Sequence, residues 1–371
     1  MLRTGRAETR SQLRLLTGLS RSAVVSRVDA LVDAGLLLLG AELAPTSGRP
    51  AGSLVFNVEA GVVLAVAIGR SRSQLAVFDL AGTELDTSSI EHPIGAGPDE
   101  VLPPVADHLS ALTQRHRRPV LGVGMSLPGT VDPVRAVSVA SPVMAGWDGI
   151  DLAPHLARAT RAPLHVGNDA VVLALSERLG HAMTYDDLLV LKASTGLGLG
   201  IVADGRVVSG HLGAAGEIGH VRVDAAAGRP CRCGSEGCLE TIAGGWSLVA
   251  RCQAGGRPVH HVRELTSLAL AGDAEAEALL RESGRQVGDV LATAITLLNP
   301  QALVIGGDMS AAFDVYAAGV RESVYARATA LSTRDLQVVA STFGERAGIV
   351  GCAVMALDQA LAPASVNAML G

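Results

Sequence analysis

Three cysteines and one histidine in the middle of the chain have the residue types and spacing of a metal site. Cys231, Cys233 and Cys238 form a C-x-C-x4-C cluster, and His220 precedes them. Glycines between the cysteines permit the sharp backbone turns that would bring the three thiolates together. Three thiolates and one imidazole are the ligand set of a closed tetrahedral zinc site. The sequence therefore predicts structural zinc in this segment.

Packing and disulfide formation remain open as alternative roles for the cluster. The cysteines could be buried packing residues that happen to lie close together, although short loops rarely carry three cysteines for packing alone. A disulfide is the second alternative, but nothing in the chain suggests an oxidising compartment. The other two cysteines, Cys252 and Cys352, lie far from the cluster and are expected to be buried in the core.

The distribution of charge divides the chain into a basic start and an acidic remainder. The 371 residues carry a net charge of -6, which excludes a protein that binds nucleic acid through its overall charge. Residues 1–50 nevertheless contain seven arginines against four acidic residues. A basic head on an acidic body fits this asymmetry.

The chain shows no targeting or membrane signal. Its N-terminus lacks the apolar core of a signal peptide, and no apolar run reaches the ~18–20 residues of a membrane span. We therefore expect a cytoplasmic protein without a membrane partner.

The first fifty residues have the outline of a helix-turn-helix. Thr9 and Gln12 can form a capping box for a short helix, with Leu13, Leu15 and Leu16 as candidates for its inward face. Only about eight residues precede this helix, whereas a helix-turn-helix normally rests on an earlier helix. We expect that earlier helix to be truncated, or the true start codon to lie upstream.

The second helix of this outline is the candidate for DNA recognition. Ser20 can cap it, Gly35 can end it, and segments 36–39 and 53–57 can pair behind it as a β-wing. Small polar residues and arginines at its start suit base edges in a major groove, although an ordinary helical hairpin remains an alternative. An arginine between Gly and Pro in segment 46–51 suits either a minor groove or a plain linker. The candidate DNA-contacting residues are Ser20, Arg21, Ser22, Ser26, Arg27 and Arg49.

The remainder of the chain alternates predicted strands with predicted helices, once in each half. Such alternation, with glycine loops at strand ends, is typical of open α/β sheets whose sites lie at the carboxyl edges of the strands. We expect two lobes around a cleft. The predicted strands are 62–80 as a pair joined at 69–73, 120–126, 164–166, 188–192, 198–203 and 302–305. The predicted helices are 151–160, 243–253, 262–271, 274–298 and 311–330.

The order of these motifs resembles the ROK family of repressors, open reading frames and kinases over nearly the whole chain. The resemblance rests on the helix-turn-helix and on LPGTVD, Asn-Asp, STGLGLGIVADG, GAAGEIGH and CxCGxxGCLE. It implies an α/β fold in which an N-terminal winged helix-turn-helix precedes a two-lobed, actin-like and ribonuclease H-like ATPase domain. The implied parts are the head at 1–52, one lobe at 53–166 with a returning helix at 346–371, and a second lobe at 167–345.

The resemblance also implies a sugar site beside the cysteine cluster. One ring nitrogen of His220 would bind zinc while the other faces the sugar, and Asp169 would be the catalytic base if the protein were a kinase. Taken alone, Asp169 could equally be a helix N-cap. The residues that match the family's sugar ligands are Asn168, Asp169, Glu217, His220 and Glu240.

The nucleotide side departs from the family pattern. Family kinases carry an Asp-x-Gly-Gly-Thr turn after the first strand, but here Ala67 replaces the Asp and Arg70 replaces the second Gly. Loss of that carboxylate removes an electrostatic group on which phosphoryl transfer depends, so ATP and Mg2+ are not expected as cofactors. The remnants of the nucleotide loops are Gly69, Ser71, Thr195, Gly196, Gly198, Gly306 and Gly307.

These observations favour a sugar-responsive transcriptional regulator, most simply a repressor. Its expected partners are operator DNA, a sugar or sugar phosphate effector, and a second copy in a homodimer or a dimer of dimers. An ATP-dependent sugar kinase and a zinc-stabilised scaffold that binds neither ligand are the alternatives. Lys192, the only lysine in the chain, lies beside the Ser-Thr-Gly loop, where both a phosphate contact and a strand-end salt bridge remain open.

Overall fold

The N-terminal head consists of two helices and a two-stranded wing. The computed structural model describes residues 1–43, 51–132, 135–139 and 146–370, with side chains omitted for 41–43 and 51. In the wing the strands pair antiparallel, with Leu37 opposite Phe56. The head thus has the predicted helix-turn-helix order followed by a wing. Its elements are α1 (Arg10–Thr17), α2 (Arg21–Asp33), β1 (Leu37–Leu43) and β2 (Ala51–Phe56).

Side-chain caps define both helices of the head. Thr9 Oγ1 accepts a hydrogen bond from the Gln12 N–H at 3.2 Å, and the Gln12 side chain accepts one from the Glu8 N–H at 2.7 Å. The N–H from which Gln12 accepts is thus that of the residue before the cap, whereas a capping box uses the N–H of the cap itself. Ser20 Oγ accepts from the Ala23 N–H at 3.2 Å and caps α2. The caps predicted at Thr9 and Ser20 are therefore confirmed, and the capping box forms only in part.

The prediction for the inward face of α1 is partly wrong. Leu13 packs against the small core of the head, but the side chains of Leu15 and Leu16 are 78% and 44% exposed. Helix α1 packs mainly against α2 and β2, and residues before it form a turn. Its other face therefore has no cover among the described residues. Segment 46–50, which includes Arg49, lies outside them.

The first sheet begins directly after the head. Its strand order is β5-β4-β3-β6-β9, with β3, β6 and β9 parallel and β4 antiparallel to both of its neighbours. The predicted helix at 151–160 is wrong in length, because only four residues are helical before the chain extends toward Pro163 and the last strand of the sheet. The elements are β3 (Val62–Ile68), β4 (Arg72–Asp79), β5 (Glu84–Glu91), α3 (Pro98–His116), β6 (Val120–Leu127), β7 (Val131–Asp132), β8 (Val137–Ser138), α4 (Ala153–Leu156) and β9 (Leu164–Asn168).

The second sheet repeats the first. Its order is β12-β11-β10-β13-β14, again with an antiparallel hairpin followed by parallel strands. The expectation of one α/β pattern in each half is thus confirmed. The elements are α5 (Asp169–Ser176), β10 (Leu188–Ala193), β11 (Leu197–Ala203), β12 (Arg206–Val207), α6 (Glu240–Ala243), α7 (Gly245–Ala254), α8 (Val262–Leu270), α9 (Ala274–Leu298), β13 (Ala302–Gly306), α10 (Phe313–Arg327), α11 (Ala330–Thr333) and β14 (Gln337–Ala340).

The chain then returns to the first sheet through α12 (Ala347–Ala360), which is followed by α13 (Pro363–Leu370). Helix α12 packs against β3, β6 and α5. A Cβ at Gly124 would lie 2.0 Å from the Cys352 carbonyl oxygen, so only glycine permits this approach of helix to strand. No single described helix is long and apolar enough to cross a membrane; α12 and α13 reach that length only as a pair, bent by 54°.

The two isolated cysteines pack in the core as predicted. Cys252 is 1% exposed among the apolar residues under the second sheet, and Cys352 is fully buried in α12. The Cys352 thiol donates a hydrogen bond to the Val66 carbonyl at 3.3 Å. Neither cysteine lines the cavity between the two sheets.

Candidate functional site

A cavity of about 680 Å³ lies between the two sheets, at the carboxyl ends of their parallel strands. Residues at or just beyond the ends of β3, β6, β10 and β13 line it, including Ile68, Ser126, Ser194 and Gly307. Open α/β sheets place ligands at this edge because loops and helix N-termini converge there. The expected cleft is therefore present, and all five predicted sugar ligands line it.

Asn168 and Asp169 lie at the junction of β9 and α5. Asn168 Oδ1 accepts hydrogen bonds from the Ala170 and Val171 N–H groups at 2.8 and 3.4 Å, and its Nδ2 donates to the Gly129 carbonyl at 2.8 Å. Asn168 is thus the N-cap of α5, and the alternative that Asp169 is the cap is wrong. Asp169 occupies the first helical position and lines the cavity.

The carboxylate of Asp169 pairs with the only lysine of the chain. Lys192 Nζ lies 2.9 Å from Asp169 Oδ2, and both side chains are 21% exposed. Burial opposes the charge of Lys192, but Asp169 and the more distant Asp308 and Glu240 hold the pKa of the ammonium group above its usual value. The strand-end salt bridge left open by the sequence is therefore the contact that forms.

Glu217 and His220 connect the cavity to the cysteine cluster. Burial raises the pKa of Glu217, although the nearby His220 works against that shift. His220 Nε2 lies 3.9 Å from Glu217 Oε2 on the cavity side, while its Nδ1 lies 3.7 Å from Cys231 Sγ. The two ring nitrogens thus face the cavity and the cluster, as the dual-role prediction requires.

The cysteine cluster fits a tetrahedral metal ion. The ligand atoms of His220, Cys231, Cys233 and Cys238 all lie within 4.8 Å of one another, and Cys233 Sγ is 3.7 Å from Cys238 Sγ. With zinc–sulfur bonds of about 2.3 Å, sulfurs at tetrahedral angles lie about 3.8 Å apart. Burial alone would raise the pKa of Cys233, but the Ser235 N–H and the neighbouring thiols lower it to about 7. The four residues can therefore hold a metal ion, and a thiolate forms readily among them.

Glu240 lies between the cluster and the cavity. It is 4% exposed, and its two oxygens accept hydrogen bonds from the Leu197 N–H and the Trp246 indole N–H, each at 3.1 Å. The guanidinium carbon of Arg232 lies 4.3 Å from the centre of the Trp246 ring. A carboxylate has about four acceptor positions, so Glu240 can still accept sugar hydroxyls.

The loop of the first hairpin carries the departures from the kinase pattern. Ala67, Gly69, Arg70 and Ser71 all line the cavity. Arg70 is partly buried, and its Nε atom is shielded from water without a hydrogen-bond partner among the described residues. Burial and then the neighbouring Arg232 lower the pKa of Arg70. This loop therefore presents a cation where the kinase pattern has an acidic residue and glycines.

The predicted remnants of the other nucleotide loops divide into two groups. Thr195, Gly196 and Gly307 border the cavity directly. Gly198 also borders it, although a Cβ there would meet Ala170 at 2.6 Å, so helix packing explains this glycine equally well. Gly306 does not line the cavity; a Cβ there would approach Leu173 and Ser341 at 3.1 Å.

In the head, five of the six residues predicted to contact DNA lie on α2 or at its N-cap, and the sixth, Arg49, lies outside the described residues. Arg21, Ser22, Ser26 and Arg27 on α2 are exposed, and Ser20 caps that helix. Val24 and Val28 of the same helix are buried in the core of the head. The polar residues thus occupy the solvent side of an amphipathic helix, which is the arrangement that a recognition helix needs.

Several residues of the cavity were not predicted from the sequence, among them Arg232, Trp246 and Arg263. Arg232 is the middle residue of the C-x-C motif, of which only the cysteines were predicted to have a role. Trp246 is one of only two tryptophans in the chain, and that rarity could have identified it. Arg263 belongs to none of the motifs found in the sequence, and only the fold places it at the cavity.

Comparisons with known proteins match both the body and the head. Residues 63–359 match the ROK family profile. The xylose repressor of Bacillus subtilis is 25% identical over 359 residues, which cover 95% of this chain and 92% of that protein. The crystal structure of a ROK family transcriptional regulator, a homologue of the Escherichia coli MLC protein, superimposes with a TM-score of 0.80 at 27% identity and covers 98% of this chain and 94% of its own.

A ROK enzyme is also similar, but over less of the chain. The ROK family glucokinase from Streptomyces griseus, solved with glucose and AMPPNP, gives a TM-score of 0.69 at 28% identity. It covers 80% of this chain and 99% of its own, so the enzyme aligns almost completely while a fifth of this chain stays unmatched. The regulator comparison leaves only 2% unmatched. With a family match over most of its length and the ROK motifs gathered around one cavity, this chain belongs to the ROK family.

Proposed function

We propose that this protein is a sugar-responsive transcriptional regulator that binds operator DNA through its head and a sugar in the cavity. The observation that carries the proposal is the winged helix-turn-helix, which precedes the ROK match at residues 63–359. The similar regulator covers 98% of the chain, whereas the similar glucokinase covers 80%. A sugar-responsive repressor is the simplest protein that combines such a head with a ROK body.

The head has the charges that operator binding requires. Arg21 and Arg27 are exposed on α2 and have no ion-pair partner among the described residues, whereas Arg10 on α1 pairs with Asp29 at 2.9 Å. Unpaired guanidinium groups can contact phosphates or guanine edges. Two heads in a homodimer would read two half-sites, which is how helix-turn-helix proteins gain affinity.

The cavity has the groups that a polyol requires. Asp169, Glu217 and Glu240 offer carboxylate oxygens, and His220 offers a ring nitrogen on the cavity side. Carboxylates accept hydrogen bonds from neighbouring hydroxyls, and an imidazole can donate or accept. Asn168 would add the second N–H donor of its amide, because its Oδ1 already accepts two hydrogen bonds. We infer a sugar as the effector.

Zinc is the metal that best fits the cysteine cluster. Three thiolates and one imidazole are soft or borderline ligands, and they leave no position for a water or a substrate. A bound ion would fix the ring of His220 and thereby the side of the cavity that Glu217 shares. The metal would act as a structural support of the sugar site.

The cavity is poorly arranged for phosphoryl transfer. Ala67 offers no carboxylate to hold Mg2+, and Asp169 is already paired with Lys192 at 2.9 Å. A general base must contact the sugar hydroxyl whose proton it accepts, and the carboxylate of Asp169 is held in an ion pair with Lys192 instead. Sugar binding without turnover is therefore the function that we assign to the cavity.

Sugar binding would reach the DNA through a change in the relative position of the two sheets. The cavity has walls from both sheets, so a ligand that contacts both walls favours one degree of closure. In a dimer, that closure would change the spacing of the two heads. The coupling is reciprocal, so operator DNA would change sugar affinity by the same factor.

The test uses the full chain and an operator selected from a random duplex pool. We expect binding to weaken steeply with salt, because phosphate contacts release counterions. Arg27→Gln should weaken binding about tenfold or more and reduce the salt slope, while Arg334→Gln on the exposed surface of the body should change neither. A flat salt dependence, or no selectable operator, would contradict the proposal.

The sugar arm uses calorimetry with hexoses, pentoses and amino sugars, followed by operator titrations with any sugar that binds. Absence of binding to every sugar would exclude the sensor, and absence of both DNA and sugar binding would favour the scaffold. The kinase alternative is tested with ATP, Mg2+ and glucose in a coupled assay. Turnover that Asp169→Asn abolishes would replace regulation with catalysis as the function of the cavity.

A further inference from the structure

Three arginines in one corner of the cavity have no carboxylate partner in the described part of the chain. Arg70, Arg232 and Arg263 line the cavity, and none of them has an ion pair among the described residues. Several other arginines that are partly buried are paired: Arg257 and Arg285, for example, each contact two acidic residues. An unpaired guanidinium group in a cavity is costly unless a ligand satisfies it.

Arg70 is the centre of this corner. It follows the end of β3, and its Nε is shielded from solvent with no acceptor among the described residues. Arg263 joins it from α8, where its Nη2 donates to the hydroxyl of Ser71, the residue after Arg70, at 3.4 Å. The loop of the first hairpin and the start of α8 therefore each bring an arginine to this part of the cavity.

Arg232 completes the corner from the cysteine loop. Its guanidinium group lies over the face of Trp246 at 4.3 Å, and Trp246 in turn donates to Glu240. Stacking on an aromatic face leaves the in-plane N–H donors of a guanidinium group free for an anion. Glu240 does not neutralise Arg232 by contact, because the described hydrogen bonds of its oxygens come from Trp246 and Leu197.

The acidic residues of the cavity are engaged elsewhere. Asp169 pairs with Lys192, Glu345 pairs with Arg72 at 3.4 Å, and Asp308 accepts a hydrogen bond from Ser194. Glu217 lies beside His220. Glu240 acts electrostatically on Arg70 and Arg232 but forms an ion pair with neither, so guanidinium donors remain free beside the hydroxyl acceptors.

We propose that the natural ligand is a phosphorylated sugar, with its phosphate held by Arg70, Arg232 and Arg263 and its hydroxyls on the Asp169 side. The inference rests on the proposed sugar-binding function. A phosphate monoester supplies the oxygens and the negative charge that three guanidinium donors lack, and arginine binds phosphate in a bidentate way. Arg70, which replaces a glycine of the kinase pattern, therefore contributes to an anion site at the same place in the fold.

The test compares matched ligands by calorimetry on the full chain. The probes are glucose with glucose 6-phosphate, N-acetylglucosamine with its 6-phosphate, ADP, and inorganic phosphate. At low salt we expect at least one sugar phosphate to bind about tenfold or more tightly than its neutral sugar, because each charge-assisted hydrogen bond adds substantial affinity. This advantage should shrink as salt is raised.

Variants locate the phosphate. Arg70→Gln and Arg232→Gln should each reduce sugar phosphate affinity about tenfold, a larger loss than that of neutral sugar affinity, while urea unfolding of both variants is the control for folding. Arg229→Gln is the matched control, since Arg229 lies in the same cysteine loop as Arg232 but is exposed and outside the cavity. Its sugar phosphate affinity should equal that of the unaltered protein.

The outcomes separate this inference from the proposed function. If neutral sugars bind as tightly as their phosphates, the phosphate site is refuted while the sugar sensor stands. If no sugar and no sugar phosphate binds, the sensor itself fails. Tighter binding of ADP than of any sugar phosphate, lost in Arg70→Gln, would assign the corner to a nucleotide. A phosphate preference that survives both substitutions would place the anion elsewhere and overturn the assignment.

Discussion

The hairpins β3–β4 and β10–β11 occupy equivalent places in the two sheets, and the cavity lies between their loops. The first loop has lost the groups of the kinase pattern and carries Arg70. The second keeps its Thr195-Gly196 turn, but the strand before it carries Lys192, which pairs with Asp169. Each hairpin thus carries a cation at the cavity. Arg70 has no ion pair among the described residues, whereas Lys192 is paired with Asp169.

The two hairpins thus differ in how they depart from the kinase pattern: the first by substitutions in its loop, the second by an ion pair to a retained carboxylate. A β-carbon and a long side chain at position 70 change what the first loop can approach. Lys192 instead forms an ion pair with Asp169, a carboxylate of the kinase pattern that is still present. The second hairpin also borders the cysteine cluster and Glu240, so we expect sugar binding to depend mainly on the second half.

The largest effect is expected from the cysteine cluster, which only the second half has among the described residues. Cys233→Ser should reduce the bound metal from about one ion per chain to near zero and weaken sugar binding about 10- to 100-fold. Elemental analysis and calorimetry measure both. Hydrogen exchange should quicken in the segment of Glu217 and His220 and stay unchanged in β3 and β4.

Cys252→Ala is the control for that change, because Cys252 is a buried cysteine outside the cluster. It should keep the metal and the sugar affinity. Loss of the metal in Cys233→Ser with sugar binding intact would show that the cluster does not support the cavity.

The second effect concerns the paired cation. Lys192→Met leaves Asp169 as an unpaired, mostly buried carboxylate and should reduce the free energy of unfolding by about 2 kcal/mol. The pKa of Lys192 is raised in the folded protein, so the stabilisation is complete below the unfolded value of about 10.4 and is lost as the pH rises through the folded value. Urea unfolding of both proteins between pH 7 and pH 11 measures the difference.

Arg115→Met is the matched control in the first sheet, where Arg115 and Asp86 form a more exposed ion pair. Such a pair should contribute less than about 1 kcal/mol. Equal losses in the two variants would show that burial of the Lys192 pair has no special consequence for stability.

A smaller effect is expected from the two tryptophans, one in each half. Trp246→Phe removes the indole N–H that Glu240 accepts and should weaken sugar phosphate binding about fivefold, or about 1 kcal/mol. Trp147→Phe removes the N–H that donates to the Ala96 carbonyl at 3.0 Å in the first half. It should reduce stability by a similar amount and leave ligand binding unchanged. Calorimetry and urea unfolding on both variants distinguish the two roles.

The smallest effect is expected from repairing the first loop. Ala67→Asp combined with Arg70→Gly restores the acidic residue and the glycine of the kinase pattern, but Asp169 stays paired with Lys192. Glucose phosphorylation in the coupled assay should remain far below the ~1–100 s⁻¹ of kinases. Rapid turnover in the repaired protein would show that Asp169 acts as a base despite its lysine.

Much of the architecture was predictable because its signals are local. The caps at Thr9 and Ser20 depend on residues three positions away, and the strands of both sheets are short apolar runs that end at glycine loops. The length of helix α4 was overestimated, because the chain must leave the helix and extend to reach β9. Leu15 and Leu16 were misjudged because periodicity shows that a helix has an apolar face and cannot show what covers it.

The sequence by itself determined the cysteine cluster and the membership of the ROK family. The four metal ligands lie within one short segment, where backbone turns alone bring them together, and family motifs are contiguous. Only the tertiary structure decided that Lys192 pairs with Asp169 and that Arg70, Arg232 and Arg263 share one corner. Those residues are far apart in the chain and lie on different elements, so their meeting depends on how two sheets pack around a cavity.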